Sequence, residues 1–478
     1  MPFDIKEKRK DIETESIGFN PNTTRVRPAH IANGMFRTLQ NEIYDTQPLF
    51  QFIFANKQDG SVPKGHEQST IYNKLRVGNK IDPNEISEQK LSELRLILRK
   101  VLTADRTAYP ERGMESYSAG FSHFISKDRI AQDGGEFLAL WLQQEAPELA
   151  QAILEALEND TDSISMLAKP VLGEPIEIPK VNEKSPTLIN ALAPLIPSAK
   201  RLAQHLQIHP NKLTRLRFAV LFGSFALIRY LTNLEYTLYP QNQTRQPIIL
   251  LDVVGRNDHP IRFASQRTYL LACQSLTRAY IGIFTDYLKH HHSGVSLAES
   301  VPDYGLPKSS SAANQKEQNE AEQRKSIWRR ATEDSNNYSD PYEAYGQAIY
   351  DILALDANAT PVKYFRSFGL HSGLLQPMNN TQPTKHFALH QDMLEVLVRG
   401  IITPGETLDL PSLLDRFWTD YGIIIGGQPL DEDLLFEVGI TQADSKSLEQ
   451  NREAFAEQLR ELTFARLMAD GIIEVTAS

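Results

Sequence analysis

The stretch FAVLFGSFALI, residues 218–228, has no charged side chain and lies between Arg217 and Arg229. It is much shorter than the roughly 20 apolar residues that a membrane-spanning helix needs. The stretch therefore predicts a helix that is buried in a protein core. After a short apolar strand at 247–255, residues 261–292 carry apolar side chains at helical spacing over a long distance. Together these segments predict a mainly α, multi-domain protein with a few central β-strands.

The composition is that of an ordinary globular protein. The chain has 478 residues, 41% of them hydrophobic and 23% charged, with a net charge of −10. Cys273 is the single cysteine, which excludes an internal disulfide and a cysteine metal cluster and fits a reducing compartment. No run of 18 apolar residues is present, and the first residues have no apolar signal-peptide region. The sequence therefore predicts a cytoplasmic protein without a membrane segment.

Changes in composition along the chain predict three domains. Residues 1–158 read as an N-terminal helical domain preceded by a flexible basic arm (residues 1–30). The proline-rich residues 159–187 predict a linker, and a central basic helical domain follows at 188–302. The polar residues 303–335 predict a second flexible linker, a mobile tether. The C-terminal domain is then predicted at 336–478.

The last part of the C-terminal domain has a suggestive order of elements. From His386 onward the patterns predict a helix, a short strand, a helix, an acidic insertion, a long helix and a closing strand. This order resembles that of a winged helix. We therefore expect a winged-helix-like module from residue 386 to the C-terminus.

Charge is distributed very unevenly. Residues 200–292 hold 12 Lys and Arg against 4 Asp and Glu, a net charge of +8. Residues 131–186 carry −8 and residues 401–478 carry −10. A basic centre between acidic flanks predicts either a surface for a polyanion, with the flanks docking on basic partners, or neutralisation of the segments within one fold. The sequence leaves these two interpretations open.

The clearest motif is RLAQHLQIHPNKLTRLR, residues 201–217. It resembles the helix-turn-helix of AraC-type regulators, with apolar contacts expected at Leu202, Ala203, Leu206, Ile208, Leu213 and Leu216. The resemblance implies that Asn211, Lys212, Thr214 and Arg215 face the major groove, and that Arg201 and Arg217 meet phosphates. The alternative is a pair of core helices joined at a proline turn, because no glycine marks the turn and the second helix runs into residues 218–228.

No catalytic signature is present. The sequence lacks a Walker A loop, GxGxxG and GxSxG, and Asp252 at the end of the strand IILLD has no second strand-end acid at a recognisable spacing. His290, His291 and His292 are consecutive, so on a helix they point in different directions and do not form one metal site. FGLHSG, residues 368–373, is predicted to be a loop rather than a serine–histidine pair. We therefore expect no metal, no cofactor and no catalytic residues.

Two stretches, PIILLDVVGRNDHPIRFASQ and KYFRSFGLHSGLLQP, resemble accessory subunits encoded in bacterial anti-phage defence or DNA-restriction operons. The resemblance implies a non-catalytic scaffold or adaptor in a multi-protein complex that acts on DNA. In this hypothesis the basic centre contacts DNA and the acidic C-terminal module binds protein partners. Two alternatives remain: a stand-alone helix-turn-helix transcriptional regulator, and an enzyme with a dispersed active site.

Overall fold

The computed structural model describes most of the chain outside the first linker. The described residues are 5–21, 26–41, 43–44, 90, 93, 96–97, 129–157, 175–176, 186–241, 246–292, 297, 315–355, 360–378 and 385–477. The protein is mainly helical with a few small strands, which confirms the predicted fold class at this level. The predicted linker at 159–187 lies outside the described residues except at 175–176 and 186–187.

Helices of the N-terminal half pack in close contact with one another. The helices with described bounds up to residue 238 are α1 Ile5–Ile17, α2 Pro28–Gln40, α3 Arg129–Glu145, α4 Pro147–Leu157, α5 Pro186–Asn190, α6 Ile196–Ile208, α7 Lys212–Thr232 and α8 Leu234–Leu238. Helices α2 and α3 form a close pair. Gly135 makes this approach possible, because a Cβ atom at that position would lie 2.2 Å from the carbonyl oxygen of Ile31.

The predicted flexible arm is helical over α1, so that prediction is wrong for residues 5–17. Ile12 and Ile17 are buried in the main core, and Arg9 donates to Glu13 at 2.8 Å one turn later. Helix α1 packs against the long helix α9 (Pro260–His291). The sequence of α1 shows no clear helical periodicity, because most of its side chains are charged or polar and only a few apolar residues anchor it.

Helix α7 lies in the middle of the protein, as the uncharged stretch predicted. Every residue from Phe218 to Thr232 is buried, and α7 contacts α2, α4 and α9. Helix α9, the predicted long helix, has 32 residues and begins after His259, whose imidazole accepts from the backbone N–H of Ile261 at 3.3 Å. Burial of α7 on all sides accounts for its lack of an amphipathic pattern.

The predicted tether at 303–335 is a helix over most of its described part. Helix α10 (Gln315–Asp334) buries Trp328, whose indole N–H donates to the carbonyl of Leu297 at 3.1 Å. It packs against α11 (Pro341–Leu355), which in turn packs against α9. The prediction of a flexible segment is therefore wrong for residues 315–334, because one buried tryptophan outweighs the surrounding polar composition.

The C-terminal part alternates helices with short strands. Its helices are α12 Pro361–His371, α13 Gln391–Ile401, α14 Leu410–Tyr421, α15 Asp431–Glu437 and α16 Ser445–Glu461. Its strands are β4 Leu375–Gln376, β5 His386–Phe387, β6 Thr407–Asp409, β7 Ile423–Ile424, β8 Ala465–Leu467 and β9 Ile473–Thr476. Strands β6, β9 and β8 form one antiparallel sheet in that order, with Leu408 opposite Val475 and Arg466 opposite Glu474.

Strands from distant parts of the chain also pair. Earlier in the sequence lie β1 (Ile43–Tyr44), β2 (Pro175–Ile176) and β3 (Ile249–Leu250). Strands β1 and β2 pair antiparallel, as do β4 and β5. Strand β3 pairs parallel with β7, so one small sheet is formed by a strand of the predicted central domain and a strand of the predicted C-terminal domain.

One large buried cluster contains residues of all three predicted domains. Its members include Met35 and Trp141 from the first, Phe225 and Tyr280 from the second, and Phe417 from the third. The described residues therefore share a continuous core. None of the described helices is long and apolar enough to cross a bilayer.

Candidate functional site

The α6–α7 corner contains all six residues that the sequence predicted to contact DNA. Asn211 caps α7, since its Oδ1 accepts from the N–H of Thr214 at 3.1 Å. Arg215 folds back over the turn, donating from Nε to the carbonyl of His209 at 2.6 Å and from Nη2 to that of Gln207 at 3.1 Å. The corner is therefore fixed by its own polar side chains.

The apolar side chains of the corner follow the predicted pattern only in part. Leu202, Ala203, Leu206 and Leu216 are buried. Ile208 is 68% exposed and Leu213 is 39% exposed, so the prediction that both make helix-turn-helix contacts is wrong. The reason is geometric. Helix α7 continues without interruption to Thr232, and its contacts with the core helices, more than contacts with α6, determine its orientation.

Arg201 and Arg217 point at the C-terminal module. Arg201 donates from Nε to the carbonyl of Gly400 at 2.8 Å and pairs with Asp420. Arg217 pairs with Asp392. These contacts hold α6 and α7 against α13 and α14, and they occupy the two arginines that the sequence assigned to phosphates.

His205 makes a further contact across the same boundary. Its Nε2 lies 2.7 Å from the carbonyl oxygen of Ile402, so this nitrogen carries the proton and donates. Burial is the main cause that lowers the pKa of His205, with Arg399 acting in the same direction and the bond to Ile402 opposing them. His205 is therefore a neutral structural donor.

Ion pairs neutralise much of the basic centre inside the fold. Among the described residues of this segment, at least seven cationic side chains pair with carboxylates. Four take partners from outside residues 200–292, in the pairs Lys200–Glu148, Arg201–Asp420, Arg217–Asp392 and Lys289–Asp340. Three take partners from within that segment, in the pairs Arg256–Asp258, Arg262–Asp252 and Arg278–Glu235. Of the two interpretations of the charge pattern, these pairs favour neutralisation within one fold.

Both arginines of α16, the long helix of the acidic C-terminal module, pair with carboxylates. On α16, Arg452 pairs with Glu449 and Arg460 pairs with Glu457. Glu453 and Glu461 are exposed on the same helix. The surface of α16 therefore presents carboxylates, and its arginines are already engaged with neighbouring glutamates.

A buried polar cluster surrounds Asp252 at the end of β3. Its Oδ2 accepts from Nε of Arg262 at 2.6 Å and lies 3.5 Å from Nε2 of His386, while Oδ1 accepts from the N–H of Gly255 at 2.9 Å. The Asp252 side chain is fully buried. The sequence singled out Asp252, but His386 lies 134 positions further on and no local pattern connects the two.

His386 sits in an unfavourable place for a positive charge. Burial and the nearby cations Arg262 and Lys385 hold the pKa of its imidazole well below the ordinary value, and Asp252 only partly offsets them. Its Nδ1 is buried without a hydrogen-bond partner among the described residues. Acid and imidazole are both enclosed, and the cluster joins the end of β3 to α9 and β5.

In the described part of the structure, the serine and histidine of FGLHSG form no hydrogen bond with each other. Residues 368–371 of FGLHSG form the end of α12 and only Ser372 and Gly373 lie in the turn that follows, so the loop prediction is wrong for the first four residues. His371 bonds the carbonyl of Ser367 and Ser372 donates to that of Phe368, so each contacts its own helix instead of the other. The described residues contain no group of three or more His, Cys, Asp or Glu that could hold a metal ion.

The histidines at the end of α9 line a solvent-facing pocket of about 380 Å³. His290 bonds the carbonyl of Asp286, and His291 bonds that of Tyr287. The sequence analysis did not predict this pocket, because its opposite wall is formed by α1, which lies far from α9 in the sequence.

No family model matches this chain, and no curated protein shows significant sequence similarity to it.

Proposed function

We propose that this protein is a non-catalytic subunit of a multi-protein complex that acts on DNA, and that residues 386–478 form a winged helix that binds a partner protein. Two features support a winged helix. Apart from β7 and α15, which form an insertion between α14 and α16, the elements follow the order α13, β6, α14, α16, β8, β9, and the closing strand β9 lies between β6 and β8. Helix α16 takes the place of the helix that reads DNA in winged-helix proteins of this order.

The observation that carries the proposal is the charge on α16. A helix that enters a DNA groove normally offers unpaired Lys and Arg to phosphates, and the release of counterions then drives binding. Here Arg452 and Arg460 pair within the helix, and Glu453 and Glu461 face solvent. Placing this surface on a duplex would bring like charges together, so the module fits a basic protein surface instead.

Exposed apolar side chains lie near this acidic surface in the chain. Leu430, at the start of α15, is 65% exposed, and Phe436 within α15 is 68% exposed. Leu467 and Ile472 flank the turn between β8 and β9 and are also exposed. Large apolar side chains of this kind are common anchors of protein interfaces. We infer a partner with a basic surface and an apolar recess.

The expectation that the complex acts on DNA rests on the sequence resemblance and on the basic centre. Because seven cations of that centre are paired internally, we assign most of the DNA affinity to the partner subunits. A stand-alone regulator is less well supported, since Arg201, Arg215 and Arg217 are committed to contacts within the fold.

The experiment is co-expression of the full-length chain with the products of its neighbouring genes, followed by size-exclusion chromatography. Glu453→Lys with Glu461→Lys is the charge-reversal variant, and Phe436→Ser removes an apolar anchor. Glu343→Lys on α11 is the matched control for charge reversal. We expect the first two variants to weaken assembly at least tenfold and the control to leave it unchanged.

Full-length protein is used because residues 386–478 share a core with the rest of the chain. The duplex-DNA affinity of the isolated wild-type chain is measured in parallel. Assembly that resists both variants would contradict the assigned surface. Tight duplex binding by the isolated chain at physiological salt, abolished by substitutions on α16, would show that the module reads DNA itself.

A further inference from the structure

The pocket between α1 and α9 has an apolar floor. Ile12 of α1, Leu188 of α5 and Ile283 of α9 form it, and all three are buried. Its volume of about 380 Å³ falls within the range of pockets that hold small ligands or single side chains. An apolar floor of this kind suits an alkyl stem.

The rim of the pocket presents hydrogen-bond acceptors. Glu15 of α1 and Asp286 of α9 contribute a carboxylate from each wall. Tyr239 donates its hydroxyl to Oδ2 of Asp286 at 2.9 Å, which fixes that carboxylate in place. His290 and His291 use Nδ1 on backbone carbonyls, so their Nε2 atoms remain as further acceptors.

An aromatic ring closes one side. Tyr287 stacks on His291 with ring centroids 4.3 Å apart. Burial raises the pKa of the Tyr287 phenol, and the negative charges of Glu15 and Asp11 raise it further. Two carboxylates of α1 therefore lie close enough to this ring to act on it electrostatically.

The cations nearest in sequence are engaged elsewhere or lie on the outer part of α1. Lys289 pairs with Asp340 and also interacts electrostatically with Asp286, and Arg9 pairs with Glu13. Lys8 is exposed one turn before Ile12. Within the described part of the chain, Glu15 forms no ion pair. Its carboxylate is therefore available to a ligand.

We propose that this pocket binds a cationic group on an alkyl stem: a primary ammonium or guanidinium placed between Glu15 and Asp286, with the stem on Ile12, Leu188 and Ile283. A lysine or arginine side chain has this form, because its methylene stem covers apolar surface while its charged head stays near acceptors. A free alkylamine has the same chemistry. The site lies apart from the surface of α16 and does not depend on the proposed function.

The test is isothermal titration of the full-length chain at low salt with two probes: N-acetyl-lysine methylamide and 1,5-diaminopentane. We expect saturable binding of at least one probe and weakening with added salt. Glu15→Gln with Asp286→Asn removes both charges, while the amide oxygen introduced by the second substitution can still accept from Tyr239. This double variant should weaken binding at least tenfold.

Glu333→Gln on α10 is the control, since it removes an exposed carboxylate that does not line the pocket. Thermal unfolding of each variant verifies that it is folded. Preference for the lysine derivative would identify a side chain of a partner as the ligand, and preference for the diamine would identify a free amine. The proposal would be overturned if neither probe binds, or if the double variant binds them as tightly as the wild type.

Discussion

The side-chain amide of Asn451 donates from Nδ2 to the carbonyl oxygen of Leu251 at 2.8 Å, joining residues 200 positions apart. The same Nδ2 donates to the carbonyl of Ile425 at 2.6 Å, and Oδ1 accepts from the N–H groups of Val253 and Val254 at 2.9 and 3.2 Å. One fully buried side chain of α16 thus satisfies four backbone groups that follow β3 and β7.

Replacing Asn451 with alanine should therefore destabilise the whole protein. Buried backbone groups that lose their partners cost roughly 1–3 kcal/mol each, so we expect a loss of about 3 kcal/mol or more in the free energy of unfolding. Urea denaturation measures this loss. Glu453→Gln on the exposed face of α16 is the control, and a change below about 0.5 kcal/mol is expected there. Similar losses in both variants would refute the bridging role.

Gly422 ends α14 in the left-handed conformation, with φ +64°. A Cβ atom there would lie 2.0 Å from Nη2 of the fully buried Arg229, whose own position is held by a bond to the carbonyl of Pro247. We expect Gly422→Ala to cost about 2–4 kcal/mol, the sum of backbone strain and the displaced guanidinium.

Gly439→Ala is the matched comparison for this prediction. Gly439 has φ +78° and nothing within 4 Å of its Cβ position, so it reports backbone strain alone, about 1 kcal/mol. Thermal or urea unfolding of the two variants gives the difference. If the two substitutions cost the same, Arg229 moves aside freely and the close packing is not restrictive.

His386 predicts how stability changes with pH. Its native pKa is held below the ordinary 6.5 by burial and then by Arg262, so the unfolded chain binds a proton more readily than the native protein. The free energy of unfolding should therefore fall as pH drops below about 6.5, by up to about 1.4 kcal/mol per pH unit from this group. Above pH 6.5 both states are neutral at this position, and no change is expected from it.

His386→Gln removes this contribution. The variant should show a flatter decline in stability between pH 6.5 and pH 5 than the wild type, measured by urea unfolding at each pH. His390→Gln, at a mostly exposed histidine, is the control and should leave the slope unchanged. An identical slope in the wild type and in His386→Gln would contradict the cause assigned to the shift.

Reversal of Lys212, Arg215 and Arg217 separates DNA contact from internal structure. If the basic corner binds phosphates, the triple reversal should reduce the salt slope of DNA binding by about two to three. Because Arg215 and Arg217 are engaged within the fold, we expect the triple reversal to reduce the slope by about one or less. Fluorescence anisotropy over a range of salt concentrations measures this slope.

Arg217→Glu is expected to act on stability instead. It replaces the half-exposed pair with Asp392 by two like charges, which should cost about 1 kcal/mol. The double variant Arg217→Asp with Asp392→Arg restores an ion pair and should recover most of the loss. Full recovery of stability together with reduced DNA affinity would instead indicate that Arg217 contacts phosphate.

Local patterns in the sequence were sufficient for much of the helical architecture. The uncharged stretch at 218–228 predicted a buried helix, and the periodicity of residues 261–292 predicted α9, because hydrophobic spacing reports directly which face of a helix is buried. The order of elements after His386 was visible only in part: the sequence predicted α13, β6, α14, α16 and β9, but it did not predict β7, α15 or β8.

Tertiary contacts decided the rest. Burial of Trp328 packs the polar segment 315–334 against the core as a helix. Burial of Ile12 and Ile17 packs helix α1 of the predicted basic arm in the same way. The charges of the centre were neutralised by acids up to 219 positions away, as in the pair of Arg201 and Asp420. Charge counts along a chain do not show which opposite charges meet in space, so they could not show how much of the basic centre is accessible to a polyanion. The pocket between α1 and α9 likewise forms only where these two distant helices pack together.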